Sequence, residues 1–275
     1  MTAGPGPVSV VVEASLDNLR SRDVRFLQEA ARLGPLHVRV PSDALLEART
    51  GAPPLFPAAE RRFLAESFRW VEHAEITGLP AAAEMPSLAA RHAVLVAQEG
   101  DEDPDLWAAA EARGMAYRVV TGAELEGFPR IDPEPIAPDA PRVVVTGCFD
   151  WLHSGHIRFF MDAAAFGALH VVVGSDRNVG LLKGPGHPLQ REEERRFMVG
   201  AVRSVHRGMV SSGSGWMDAE PEIAEVGPAF YVVNEDGDQP EKRDFCRAHG
   251  IEYVVLERRP QEGLEARSST TLRGF

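Results

Sequence analysis

The stretch VVVTGCFDWLHSGHIRFFMDAAAFGALHVVVGSD, residues 143–176, decides the fold. It opens and closes on β-branched runs, RVVVTG and LHVVVGSD, each punctuated by glycine. Such runs suit short strands buried on both faces of a parallel sheet. Between them Ile157, Phe160, Met161 and Ala164 recur at i, i+3, i+4 and i+7, which predicts one apolar face of a helix ending near Gly167. Strand, helix, strand is the unit of an α/β sheet. The segment TGCFDWLHSGH (146–156) leaves the first strand at its carboxyl end, where open sheets of this kind bind their ligands.

The chain says nearly the same thing twice. Residues 10–43, VVVEASLDNLRSRDVRFLQEAARLGPLHVRVPSD, align with 143–176 without a gap, at an offset of 143 − 10 = 133. PLFPAAERRFLAESFRWV (54–71) lies over PLQREEERRFMVGAVRSV (188–205), and VAQEGDEDPDLWAAAEARGMAYRVV (96–120) over VVNEDGDQPEKRDFCRAHGIEYVVL (232–256). Three blocks in one order predict two tandem copies of one domain. The expected bounds are residues 1–121 and 142–275, joined by a 122–141 linker whose GFPRIDPEPIAPDAP (127–141) is rich in proline and acid. In the second copy a charged helix near 191–202, a strand FYVVN (230–234), a helix near 240–249 and a strand IEYVVLE (251–257) complete the pattern. The fold class is α/β: two tandem Rossmann-like open parallel sheets covered on both faces.

Composition narrows the function classes. A net charge of −12 and a pI near 5.3 weigh against nucleic acid and anionic membranes as partners, which need broad basic surfaces. A small anionic ligand needs only a few local donors. No apolar run approaches the roughly 18 residues of a membrane span. The start of the chain lacks a signal-peptide pattern, and Cys148 and Cys246 read as reduced thiols, so a cytoplasmic location is expected.

Two histidines three apart, flanked by glycine, can be catalysts, metal ligands or loop residues; no third ligand residue stands nearby. The longer pattern speaks for chemistry. Gly147-Cys148-Phe149-Asp150 followed by His153-Ser154-Gly155-His156 resembles the G-x-F-D-x-x-H-x-G-H pattern of the cytidylyltransferase-like nucleotidyltransferases, and the resemblance extends over residues 142–273. That family includes alcohol-phosphate cytidylyltransferases and sugar-phosphate adenylyltransferases. The resemblance implies transfer of a CMP or AMP unit from CTP or ATP to a small phosphomonoester acceptor, an alcohol or a sugar, with release of pyrophosphate. It implies Mg2+ carried by the triphosphate. His153, His156 and Lys183 take the catalytic positions. Gly147, Cys148, Phe149, Gly155, Asp236, Arg259, Ser269 and Thr270 take nucleotide-binding ones. An acceptor phosphate is already largely dianionic at neutral pH, its second pKa being about 6. The enzyme therefore needs alignment and charge compensation more than a general base. Two features depart from the family: Arg203-Ser204-Val205-His206 lacks the usual acid, and LLKGPGHP (181–188) fits either branch, leaving the base open.

The first copy serves as an internal control. Arg20 lies under His153, Asp23 under His156, Thr50 under Lys183 and Gly100 under Asp236, while Leu19, Phe26 and the ERRF motif match the second copy. Packing residues persist where the chemistry is gone, so residues 1–121 are expected to be inactive. Their simplest use is as a built-in dimer partner. Asp17 lies under Asp150 and Asp43 under Asp176, which points those two acids toward a structural job alongside any role in the site, where they stand as possible site residues. The competing readings are an adenylyltransferase acting on a sugar phosphate and a non-catalytic nucleotide-binding or scaffold protein.

Overall fold

The computed structural model describes residues 9–84 and 93–267 of the 275. The chain divides into two compact units, 1–127 and 128–275.

In the first unit the described elements are β1 (Val10–Glu13), α1 (Ser21–Ala31), β2 (Leu36–Pro41), α2 (Asp43–Thr50), α3 (Ala58–Ser67), β3 (Val71–Thr77), β4 (Val94–Gln98), α4 (Pro104–Glu111) and β5 (Tyr117–Val120). The second holds β6 (Arg142–Gly147), α5 (Ser154–Ala164), β7 (Ala168–Val173), α6 (Asp176–Lys183), α7 (Glu192–Gly200), β8 (Val205–Val210), α8 (Glu220–Val226), β9 (Phe230–Asn234), α9 (Pro240–His249) and β10 (Glu252–Leu256). Each unit is a five-stranded sheet with every pairing parallel, in the orders β3-β2-β1-β4-β5 and β8-β7-β6-β9-β10. The two orders are the same one. Both sheets carry a register shift at the same place, between Leu36 and His37 and between Leu169 and His170.

Burial explains why these runs are strands. Val143, Val144 and Val145 are wholly buried, as are Val171 and Val173. Successive side chains face opposite sides, so a strand buried on both faces reads as an unbroken apolar run. Val144, Val172 and Tyr231 meet Ile223 and Val226 of α8 and Cys246 of α9. Each buried valine or leucine contributes about 1.5–3 kcal/mol.

Strand β8 is harder to read. Of its residues only Val205 and Met209 are buried, so neither alternation nor an apolar run marks it. Gly208 is required there because a Cβ would fall 2.7 Å from the carbonyl oxygen of Arg196. In α5 the buried residues include Ile157, Phe159, Phe160 and Ala163, whereas Met161 is exposed. The apolar face is thus rotated from the expected one, because Phe159 turns toward the cavity described below.

The beginning of the 122–141 segment is packed. Leu125 is buried in the first unit, where Arg25 donates to the Glu124 carbonyl at 2.8 Å. The Phe128 ring lies 5.9 Å from that of Phe197 in the second unit, and Arg196 donates to the Phe128 carbonyl at 2.7 Å. Among the described residues no helix is long and apolar enough to cross a membrane.

Candidate active site

The central strands β6 and β9 are where the order of the second sheet reverses, and a cavity of about 520 Å³ opens beyond their carboxyl ends. Its walls combine the loop after β6, the end of α6, the turn after β9 and the chain after β10.

The loop after β6 is held by a framework rather than by its own propensity. Gly147 is needed because a Cβ there would fall 2.8 Å from the Phe149 ring. Phe149 itself sits at φ 49°, a left-handed conformation unusual for a bulky residue and costly by about 1–3 kcal/mol. Its ring packs edge-on against His156 and Phe160, at centroid distances of 5.3 and 5.0 Å. Asp150 accepts hydrogen bonds from the backbone N–H groups of Leu189 and Gln190. Arg195, fully buried, donates to the carbonyls of Gln190 (2.9 Å) and Cys148 (3.0 Å) and to the Asp176 carboxylate (2.7 Å).

The first unit repeats this framework bond for bond. Arg61 donates to the carbonyls of Phe56 and Ser15 and to Asp43 at 2.7 Å, and Asp17 accepts from the N–H groups of Leu55 and Phe56. Leu16, the counterpart of Phe149, has φ 51°. Asp150 and Asp176 therefore do work that is also done where the histidines are absent. Cys148 contributes its carbonyl to that framework, and burial raises its thiol pKa.

His153 occupies the N-cap of α5, its Nδ1 accepting from the Gly155 N–H at 3.1 Å. An accepting Nδ1 assigns the ring proton to Nε2. That Nε2 is buried and has no hydrogen-bond partner, and neither has Nδ1 of His156. The two rings stack at 3.9 Å. Burial, then the charges of Arg258 and Arg267, lower the His153 pKa to about 4. Burial, then His153 and Arg258, hold His156 well below 6.5. Both rings are neutral near pH 7. Leaving such nitrogens unpaired costs about 1–3 kcal/mol apiece, a cost that a ligand oxygen would relieve. Gly155 keeps this corner open, since a Cβ would come within 3.0 Å of the His153 ring and 3.4 Å of the Arg267 carbonyl.

Cations surround the pair. Lys183, the exposed last residue of α6, lines the cavity. Asp236, on the turn after β9, also lines it and is paired to Arg258 at 2.9 Å. Arg259 is displaced from its expected place: it is 68% exposed, faces Glu257 at 3.5 Å and does not line the cavity. Arg258 takes the inward position and also donates to the Arg267 carbonyl at 2.6 Å. The two arginines are adjacent in sequence, and after a strand neighbours face opposite ways. Sequence reasoning also missed Lys242, whose Nζ donates to the Gly237 carbonyl at 3.1 Å and whose pKa burial lowers, and His187. Neither stands in a recognisable spacing; their places follow from the topology alone. Ser269 and Thr270 lie outside the described residues. Among the described residues no group of three or more His, Cys, Asp or Glu is placed to hold a metal ion.

The second unit is also similar to known proteins. Residues 144–274 match the family described as cytidylyltransferase-like. A FAD synthase from Aciduliprofundum boonei is 36% identical over 118 residues, which span 42% of this chain and 76% of that protein. The bifunctional protein HldE of Gluconobacter oxydans is 47% identical over 118 residues, 42% of this chain but only 24% of that protein. The HldE of Pseudomonas syringae pv. syringae is 35% identical over 140 residues, 47% of this chain and 26% of the relative. This chain therefore spans about a quarter of the HldE proteins it matches. A histidine pair at the helix start, the switch-point cavity and the matched residues coincide in the second unit, and through that unit the chain belongs to the cytidylyltransferase-like family of nucleotidyltransferases.

Proposed function

We propose that the second unit transfers a nucleotidyl group, CMP in the first instance and AMP in the second, from a nucleoside triphosphate to a small phosphorylated alcohol or sugar. An acceptor phosphate oxygen attacks the α-phosphorus, a new P–O bond forms, and the bond to the bridging α–β oxygen breaks. The electron pair of that bond leaves with pyrophosphate. Mg2+ belongs to the substrate in this reading, carried by the triphosphate.

The observation that carries the reading is the pair of neutral imidazoles with unsatisfied nitrogens. The Nε2–H of His153, a neutral donor fixed in place before the reaction, stabilises charge as it develops without reorganisation, with the His156 ring stacked beside it. Full positive charge comes from Lys183, Lys242 and Arg258. The start of α5 turns the positive end of its helix dipole toward the phosphates. Asp236 holds Arg258 in place. The similarity to the HldE proteins favours a sugar phosphate as acceptor, as the second reading.

The first unit is proposed to be catalytically inactive and to act as a built-in partner of the second. Arg20 and Asp23 stand in place of the histidines, and Asp23 caps its own helix by accepting from the Arg20 N–H at 2.8 Å. Neither side chain is an imidazole. The test crosses CTP and ATP with a panel of alcohol and sugar phosphates and measures pyrophosphate and product mass. Release in at least one pairing, abolished by His156→Ala, supports the reading. Nucleotide binding without turnover across the whole panel would leave the scaffold interpretation.

A further inference from the structure

The first unit has lost the histidines but not the cleft. A cavity of about 530 Å³ lies beyond the carboxyl ends of β1 and β4, the same topological position as the site in the second unit. Its lining follows the other residue by residue: Arg20 stands at the position of His153, Arg22 at that of Gly155, Thr50 at that of Lys183 and Gln98 at that of Asn234. We propose that this cleft binds a small phosphate-bearing anion that has no nucleoside attached.

Two independent features argue for this ligand. The first is charge. Arg20 and Arg22 are exposed side chains that line the cleft, and neither forms an ion pair among the described residues. The acids around them are occupied. Asp17 gives both oxygens to the N–H groups of Leu55 and Phe56, Glu99 accepts from Gly122, and Asp23 accepts from Arg20. Guanidinium forks recognise phosphate oxygens in pairs.

The second feature is what the cleft lacks. In the catalytic unit Asp236, Lys242 and Arg258 close the side nearest β9 and β10. Gly100, Leu106 and Gly122 stand at the corresponding positions of the first unit, and none of them lines the cleft. The half that accommodates phosphate persists, with Arg20 and Arg22 in place of His153 and Gly155 and with Thr50 and Asp23 in place of Lys183 and His156, while the other half has no polar counterpart. Phosphomonoesters and free pyrophosphate share the chemistry that fits. The inference goes beyond the proposed catalysis and does not depend on it.

Hydrogen exchange on the full chain separates the outcomes. The probes are pyrophosphate, inorganic phosphate, glycerol phosphate, CTP and ATP. Pyrophosphate or glycerol phosphate is expected to slow exchange in residues 15–23 and 50–54. The more potent of the two identifies the source. Arg20→Ala/Arg22→Ala is expected to weaken that protection at least about tenfold. Arg20→Lys/Arg22→Lys should retain part of it. The fold tolerates these changes because the backbone of Arg20, not its side chain, bonds Asp23. Absence of protection in 15–23 and 50–54 with every probe overturns the site. Protection that survives the double alanine overturns the role of the arginines, and stronger protection by CTP or ATP overturns the ligand class. Protection in residues 146–156 reports on the catalytic unit and is scored separately.

Discussion

Acidifying the protein should unfold it partly through His153, and the size of the effect follows from the site. The His153 pKa falls from 6.5 to about 4 in the folded protein because the ring is only 2% exposed and faces Arg258 and Arg267. Between those values the unfolded chain binds a proton that the folded chain refuses. Stability from this group is therefore complete above pH 6.5 and is lost as pH falls toward 4. The whole difference is about 3 kcal/mol, of which about 2 kcal/mol is gone by pH 5. His156, depressed by the same burial, adds in the same direction. The comparison is with His153→Asn, which retains an N-cap acceptor but does not titrate. Urea midpoints measured from pH 7.5 to 4.5 give both curves, and their difference cancels the carboxylates common to the two proteins. The wild type should lose about 2 kcal/mol more than the variant between pH 7 and pH 5. Parallel curves would refute the neutral, desolvated ring and with it the donor role assigned to Nε2. In the same frame, turnover should be level from pH 6.5 to 8, because no imidazolium has to form or discharge.

Other outcomes follow from single contacts. His156→Ala should lower kcat for pyrophosphate release by about 10²–10³, the usual effect of removing one fixed donor, with the secondary structure intact by circular dichroism. Arg258→Ala should raise the KM for the triphosphate at least about tenfold, whereas Arg259→Ala leaves it within about twofold; steady-state kinetics of the two variants side by side distinguishes them. Arg195→Ala should cost about 3–5 kcal/mol in denaturant unfolding of its unit, since it strips partners from Asp176 and two carbonyls. Lys183→Ala should weaken triphosphate binding and turnover, while Arg20→Ala leaves turnover unchanged, as read in the same pyrophosphate assay.

The fold was legible because buried parallel strands leave unbroken valine runs and because the chain states its pattern twice. RVVVTG and FYVVN are strands at Arg142–Gly147 and Phe230–Asn234 as their composition requires. Strand β8 was not legible, since an edge strand with two buried residues carries no periodic signal. At the site, His153, His156 and Lys183 line one cavity because the β6 loop and α6 leave the same edge of the sheet. Arg258 was missed by a single residue because two adjacent arginines are chemically alike and only the path of the chain after β10 selects between them. Lys242 was missed because its neighbours on the wall, Val233 and Gly237, come from a different element. The neutrality of the histidines was also out of reach, for it depends on burial and on two arginines about a hundred residues away.

Comparing the units separates what shapes the loop from what acts in it. Arg195 and Arg61 make matching bonds, Asp150 and Asp17 cap matching backbone segments, and Phe149 and Leu16 hold the same left-handed turn. Had the strained turn existed only for the histidines, the copy without them would have been free to relax it, because strain of about 1–3 kcal/mol is not retained without support. Its presence in both units ties it to the arginine clamp, which fixes the carbonyl one residue before the turn, at Cys148 or at Ser15. The clamp thus sets the direction in which the loop leaves the sheet, and the residues after it determine what the resulting cleft can hold. In the second unit those residues are two stacked imidazoles with Lys183, Lys242 and Arg258 on the same cavity wall. In the first they are Arg20 and Arg22, which form no ion pair among the described residues.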